Sequence, residues 1–417
     1  MWVGMLMKIP ALLSRRGYVF GLSLLAALLL LSTACGNADR QADVALEEGA
    51  LVLWVGSDKG YEGIRRVAAR FTADTGIAVE VVPKPGTSEF DAADAAGQGP
   101  DIWIWPHDRL GDWVNSGRVR PVAPSDELRS QVYAIGWDAF TLDGRVWGYP
   151  LAFEAIGLIY NTDIIDAPPH SFEQLPELHA RLQQKGIAAI AWETGNTYFT
   201  WPLMASNGAY PFQRREDGGY DSSNVGINRR GGVRGAELLS ELYQAGVLDP
   251  QTSYDDMMQS MRSGQTAMII NGPWAWRELK DSGIDFRVGP IPSIQGNPGK
   301  PFVGVLGAMI TGYTDMPNAA TVFVEDYLLE LEALRTINDD VPLGTPANAA
   351  LYEELSADPW IRSTMYNVHL GNPMPNNPEM TLFWAEMQTF LDELRDGRID
   401  DIATRLDEAA DRIRRGR

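Results

Sequence analysis

Several short segments of this sequence place acids, a base or a flat ring at the end of an apolar run. Asp58-Lys59-Gly60-Tyr61 follows Leu51–Val55, and Trp105-Pro106-His107-Asp108-Arg109 closes the run that starts at Asp101. Glu154 ends the otherwise apolar Tyr149-Pro150-Leu151-Ala152-Phe153. Tyr198-Phe199-Thr200-Trp201-Pro202 follows Ile187–Trp192 and a Gly195-Asn196 turn, and Pro273-Trp274-Ala275-Trp276 follows Ala267–Ile270. Flat aromatics interleaved with carboxylates and cations suit a sugar. A pyranose stacks its C–H faces on rings and offers a rim of hydroxyls that carboxylates and guanidinium forks bind in pairs. A largely apolar pocket with a few placed polar groups is the usual form of a small-molecule site.

Each of these residues also has a purely structural reading. Asp58 and Lys59 fit a solvated turn ahead of a helix, and Asp108 with Arg109 fits a helix start, where Asp is a common cap. Trp103 and Trp105 share one side of a strand, so at least one belongs to the core. Glu154 is harder to set aside: a buried carboxylate without a partner is costly, so it is either salt-bridged or reading a ligand. Trp384, in mid-helix beside Phe383, fits core and pocket equally, whereas Trp103, Trp201 and Trp276 read as packing.

The elements that must hold these residues alternate. Strands fit 51–55, 77–82, 101–105, 145–149, 157–160, 187–192, 267–270 and 303–310. Helices fit 172–184, 198–207, 232–245, 318–332, 347–356, 379–396 and 400–415. Ser171-x-x-Gln174 after Pro168-Pro169 is a capping box. The alternation predicts an α/β protein with parallel sheets covered on both faces, and a helical portion after about residue 311 packed on a sheet built earlier. In open α/β sheets the ligand crevice lies beyond the carboxyl ends of the strands, which are the segments singled out above.

Composition sets the outer bounds. The chain has 417 residues, 35 basic and 55 acidic, with a formal charge of −20, four histidines, one cysteine and 13 tryptophans. That charge argues against nucleic acid as a partner, and a single cysteine precludes an internal disulfide. The scattered histidines, His107, His170, His179 and His369, offer no clustered metal site. No cofactor is expected, and no zinc motif, P-loop or nucleophile elbow is present. Lys8, Arg15 and Arg16 precede an apolar run over 19–31 and then Ser32-Thr33-Ala34-Cys35, a secretory leader over 1–34 with a lipobox-like end whose cysteine is lipidated. Removing that leader, with its three basic residues and no acid, leaves a charge of −23. Residues 35–48 read as a tether.

At these residues the chain resembles the bacterial maltose/maltodextrin-binding protein family, the extracytoplasmic receptors of ATP-binding-cassette importers. The blocks that carry the resemblance are Asp58–Tyr61, Gly99-Pro100-Asp101, His107-Asp108-Arg109, Leu158-Ile159-Tyr160-Asn161, Tyr198–Leu203, Ile270–Trp276 and Lys300–Leu306, in order over about 49–414. The resemblance implies a monomeric α/β protein of two lobes closing on sugar: an N-lobe of 49–153 plus 308–353, a C-lobe of 158–302 plus 358–417, and crossing hinge segments at 154–157, 303–307 and 354–357. It implies polar sugar contacts at Asp58, Lys59, Asp108, Arg109 and Glu154, and apolar ones at Trp105, Tyr198, Trp274, Trp384 and Met374. The implied partners are an α-glucoside or malto-oligosaccharide and the permease's transmembrane subunits, met at an extracytoplasmic membrane surface to which the lipid anchors the chain. The sequence departs from the family pattern at Asn196 (a glutamate in the family), Thr197 (a proline), Ala385 (a tyrosine), Gln388 (an arginine) and the shortened loop around 84–88, which lacks a pair of glutamates. Losing a ring and charged groups there predicts a preference for short glucosides over long dextrins. Two rivals remain: a glycoside hydrolase built on a carboxylate pair, and a receptor for a non-sugar ligand such as a metal chelate or polyamine, the latter opposed by Lys59 and Arg109.

Overall fold

The computed structural model describes residues 46–84 and 86–416. The leader 1–34, Cys35 and most of the expected tether lie outside the described residues. Of that tether, the Glu47 carboxylate accepts the backbone N–H groups of Asn318 (3.1 Å) and Ala319 (2.9 Å) at the start of the Pro317–Val322 helix.

The strands are β1 (Ala50–Val55), β2 (Ala78–Pro83), β3 (Ile102–Pro106), the small hairpin β4 (Thr141–Leu142) with β5 (Arg145–Val146), β6 (Tyr149–Ala155) and β7 (Gly157–Asn161). They continue with the hairpin β8 (Phe212–Arg214) and β9 (Tyr220–Val225), then β10 (Met268–Asn271), β11 (Phe286–Gly289), β12 (Phe302–Ile310), β13 (Thr345–Pro346) and β14 (Asn372–Pro373). A first sheet runs β13-β6-β12-β3-β1-β2 with β14 beside β12, and a second runs β10-β7-β11. The fold is α/β, with helices interspersed between the strands of both sheets.

The expectation of parallel sheets holds only in part. β1 pairs in parallel with β2 and β3, whereas β3–β12, β12–β6, β6–β13 and the whole second sheet are antiparallel. The reason is the path of the chain. β6 leaves the first sheet and, with Ile156 alone between them, becomes β7 of the second. β12 returns at the same edge, where Val303 pairs with Ala155. One strand leaving and one arriving side by side must run in opposite directions.

Other expectations are also corrected. Residues 187–192 form only isolated bridges, Ala188 with Thr266 and Ala191 with Ile269, flanking β10. The strand expected at 145–149 divides into β5 and the start of β6. The helix expected over 318–332 is an α-helix at Pro317–Val322 continued by a π-helical turn at Phe323–Leu328. Helices at Thr87–Ala95, Tyr254–Arg262, Leu331–Asp340 and Pro359–Leu370 were not anticipated. The first of these buries only Phe90, so it carries almost no apolar periodicity to read. The capping box at Ser171 and Gln174 is formed.

The two cores are aromatic. Around the first sheet Phe71, Phe90, Trp103, Trp113, Phe140, Tyr149 and Phe153 are fully buried. Around the second, Trp192, Trp201, Trp276, Phe302 and Phe383 join a continuous cluster from Ile156 to Ile413. Trp103, Trp201 and Trp276 are thus the packing tryptophans that the sequence suggested.

Candidate functional site

Loops leaving strands of both sheets meet over one cavity of about 500 Å³, within the range of small-molecule sites. All ten residues singled out in the sequence line it: Asp58, Lys59, Trp105, Asp108, Arg109, Glu154, Tyr198, Trp274, Met374 and Trp384. The first sheet delivers Asp58 and Lys59 past the end of β1, Trp105 to Arg109 at the end of β3, and Glu154 from β6. Trp274 follows β10 of the second sheet, and Met374 follows β14. The Thr197–Ala205 helix presents Tyr198 and the Met380–Arg395 helix presents Trp384.

The rings are held from behind. Trp105 stacks on buried Trp103 (5.0 Å between centroids, planes 4° apart), and Trp103 stacks in turn on Phe90 (5.1 Å, 9°). Trp384 meets Phe302 edge-on at 5.5 Å and Phe383 at 5.1 Å. Tyr198 lies 6.2 Å from Trp274 and nearly parallel to Phe302 at 6.5 Å. Gly272 makes room for Trp274 to fold back: a Cβ there would stand 2.1 Å from the indole ring. Flat surfaces backed in this way lose little freedom when a ligand stacks on them.

The polar groups fall into two sets. Lys59 Nζ donates to Glu154 Oε1 at 2.6 Å and lies 3.6 Å from Asp58. Lys59 and Glu154 are both buried, whereas the Asp58 side chain is half exposed. Burial pulls the Lys59 ammonium down, but Glu154 and Asp58 outweigh it and its pKa ends above the ordinary lysine value. The ammonium also sits 4.8 Å over the Trp274 ring. The two readings of Glu154 therefore coincide: it is salt-bridged, and it lines the cavity. The second set surrounds Asp108. Burial pushes its carboxyl up to about 6, while the Arg109 charge and the Trp384 indole nitrogen pull against that shift. Arg109 is committed to the wall: its guanidinium donates to Asp91 (2.8 Å) and Asp112 (2.8 Å), while Arg118 holds the other Asp91 oxygen at 2.5 Å.

Four residues outside the ten expected contacts also shape the site. Thr87, Asn196 and Gly304 also line the cavity. Asn196 caps the Thr197–Ala205 helix by accepting the Tyr198 N–H at 3.0 Å, which fixes where the Tyr198 ring begins. Gly304 forms part of the floor; a Cβ there would come within 3.3 Å of Met374 Cε. An isolated glycine in an apolar strand signals such close approach. His107 lies beneath the cavity, with Nδ1 accepting the Val305 N–H at 3.1 Å and Nε2 donating to the Met374 carbonyl at 2.9 Å. Burial lowers its pKa to about 4, so it is a neutral clip between β12 and the Met374 segment. On the helix that presents Trp384, Ala385 and Gln388 are exposed, and Gln388 Nε2 donates to the Gly195 carbonyl at 2.8 Å.

Such a cavity can hold a neutral, hydroxyl-rich ligand between rigid rings. Known proteins of this kind are similar along most of the chain. A maltodextrin-binding protein of Bacillus subtilis strain 168 is 27% identical over 91% of this chain and 93% of its own length. A galactooligosaccharide-binding protein of the same organism is 24% identical over 93% and 94%. A maltooligosaccharide ABC transporter solute-binding lipoprotein of Streptococcus pneumoniae serotype 4 is 26% identical over 92% of each chain. The bacterial extracellular solute-binding protein family matches residues 66–363, from within the Tyr61–Thr75 helix to within the Pro359–Leu370 helix, and the chain belongs to that family.

Proposed function

We propose that this protein captures a short oligosaccharide, an α-glucoside or malto-oligosaccharide, outside the cytoplasm and delivers it to the transmembrane subunits of an ATP-binding-cassette importer. The observation that carries the reading is the convergence of backed rings, Trp105 from the first sheet and Tyr198, Trp274 and Trp384 from the second sheet's elements, with charged groups on one cavity. The named ligands of the similar proteins agree in class. The lobes are 49–153 plus 308–353 and 158–302 plus 358–417, and they hinge at 154–157, 303–307 and 354–357. A sugar touching rings from both lobes favours the closed form by its differential affinity for it, and the permease recognises that form. Cys35 carries the lipid that keeps the monomeric receptor at the membrane.

Binding without catalysis is the better reading. Of the three carboxylates lining the cavity, Asp108 is raised to about 6 as an acid would be, but Glu154 is occupied by Lys59 at 2.6 Å and Asp58 is half exposed, so neither stands as a free buried nucleophile beside it. One observation supports a second ligand class, β- or α-galactosides: the similarity to a galactooligosaccharide-binding protein. A thermal-shift screen over maltose, maltotriose, trehalose, sucrose, cellobiose and a galactooligosaccharide separates these readings. A true ligand at about 100 times its Kd raises stability by about 2.7 kcal/mol. No shift with any sugar overturns the proposal, a shift with the galactoside alone replaces the ligand class, and release of chromophore from a chromogenic glucoside replaces binding by hydrolysis.

A further inference from the structure

A second recess of about 460 Å³ adjoins the cavity described above, and the two share Asp58 and Trp274 as walls. Beyond that partition it is lined by Arg262, Arg277, Glu278, Asp281 and Ser282. None of these was singled out in the sequence.

The chemistry of the recess is that of a hydroxyl reader. Arg262 and Glu278 form a surface ion pair at 2.6 Å, with both side chains about two-fifths exposed. Arg277 donates to the Asp340 carbonyl and lies 3.5 Å from its Oδ1. Asp340 in turn accepts the backbone N–H groups of Glu62 (3.0 Å) and Gly63 (3.1 Å). The Arg277 guanidinium is therefore anchored at the edge of the recess, leaving other N–H groups to meet a ligand. Opposed charges of both signs in one place disfavour a strongly ionic guest, and the polar lining disfavours an apolar one. A neutral polyhydroxyl chain meets both conditions, and the Trp274 ring at the partition gives such a chain an apolar surface to cross.

We propose that the binding cleft continues past Trp274 into this recess, so that an oligosaccharide longer than a disaccharide places a further ring against Arg262, Arg277 and Glu278. The inference rests on the sugar reading above. It adds a direction: chain length is sensed at the Trp274 end.

The test is calorimetric titration of the intact chain with maltose and maltotetraose. It uses wild type, the double variant Arg262→Ala/Glu278→Ala, and Ser282→Trp, which fills the recess from an exposed position. In wild type maltotetraose binds about tenfold tighter than maltose, against the short-glucoside preference expected from the departures at Asn196, Ala385 and Gln388. Both variants bring that ratio to within about threefold and leave maltose affinity within about twofold of wild type. A length advantage that survives both variants, or one that wild type lacks, overturns the inference while leaving the sugar reading in place. Wild type that binds neither sugar overturns both. Removing Arg262 and Glu278 together leaves no unpaired charge, and the thermal midpoint checks that each variant is folded.

Discussion

The buried Lys59–Glu154 pair invites a double-mutant cycle of Lys59→Met and Glu154→Leu. At 2.6 Å and an effective dielectric of about 20, the gross attraction of two unit charges is about 6 kcal/mol. Desolvating each ion costs several kcal/mol, so the net value of the pair against well-packed apolar residues is near zero. Removing one partner is different, because the other charge stays buried. Each single variant should lose about 3–5 kcal/mol, and Lys59→Met should lose about 1 kcal/mol more by giving up the contact with Trp274. The double variant should recover most of that loss, ending about 1 kcal/mol below wild type, so that the coupling is about 6 kcal/mol or more. Urea unfolding followed by tryptophan emission reads these values, and calorimetry with maltotriose reads the second consequence: the recovered double variant should bind sugar at least about tenfold more weakly. Additive single costs would refute the claim that the two charges depend on each other. A double variant with unaltered affinity would refute their part in reading the ligand.

Three further predictions are more compact. Trp274→Ala should weaken sugar binding more than about tenfold and blunt the emission change on ligation; an unchanged Kd removes the ring from the site. Asp108, raised to about 6 by burial, should make affinity pH-dependent if its carboxylate accepts ligand hydroxyls. Only the ionised form binds well, so Kd should rise about tenfold between pH 7 and pH 5, and Asp108→Asn should abolish that slope. The same raised pKa acts on folding in the other sense: the Asp108 contribution to stability is present below its unfolded value and is lost as pH rises through about 6. His107→Ala strands a buried N–H of Val305 and carbonyl of Met374, and should cost about 2–4 kcal/mol in urea unfolding, whereas a neutral outcome would show that water replaces the ring.

Much of the site was legible because its residues follow short apolar runs. Asp58, Asp108 and Trp274 stand just past β1, β3 and β10, and Trp105 near the end of β3, where an α/β sheet opens its crevice. Met374 carried no such signal and rested on resemblance alone. Asn196 and His107 stood in the resemblance without an assigned role, because their work is to hold a neighbour, the Tyr198 backbone in one case and the Val305 and Met374 segments in the other. The recess residues escaped because Arg262 and Glu278 sit on different helices whose sequences read as ordinary solvated faces.

The sequence by itself determined the α/β class, most long helices and strands, and the ring-and-charge chemistry, since these rest on local periodicity and on side-chain types. The tertiary structure alone decided strand direction in the first sheet, because the chain leaves for the second sheet from β6 and comes back beside it in β12. It also decided which tryptophan is core and which is wall. Trp103 and Trp105 have the same identity and strand face, yet Trp103 is sealed between Phe90 and Trp105, leaving Trp105 at the cavity. The fate of Glu154 was likewise settled in three dimensions. Its partner Lys59 lies 95 residues away in the chain, and no local pattern records a contact between β6 and the loop after β1, two segments that β12 and β3 separate in the sheet.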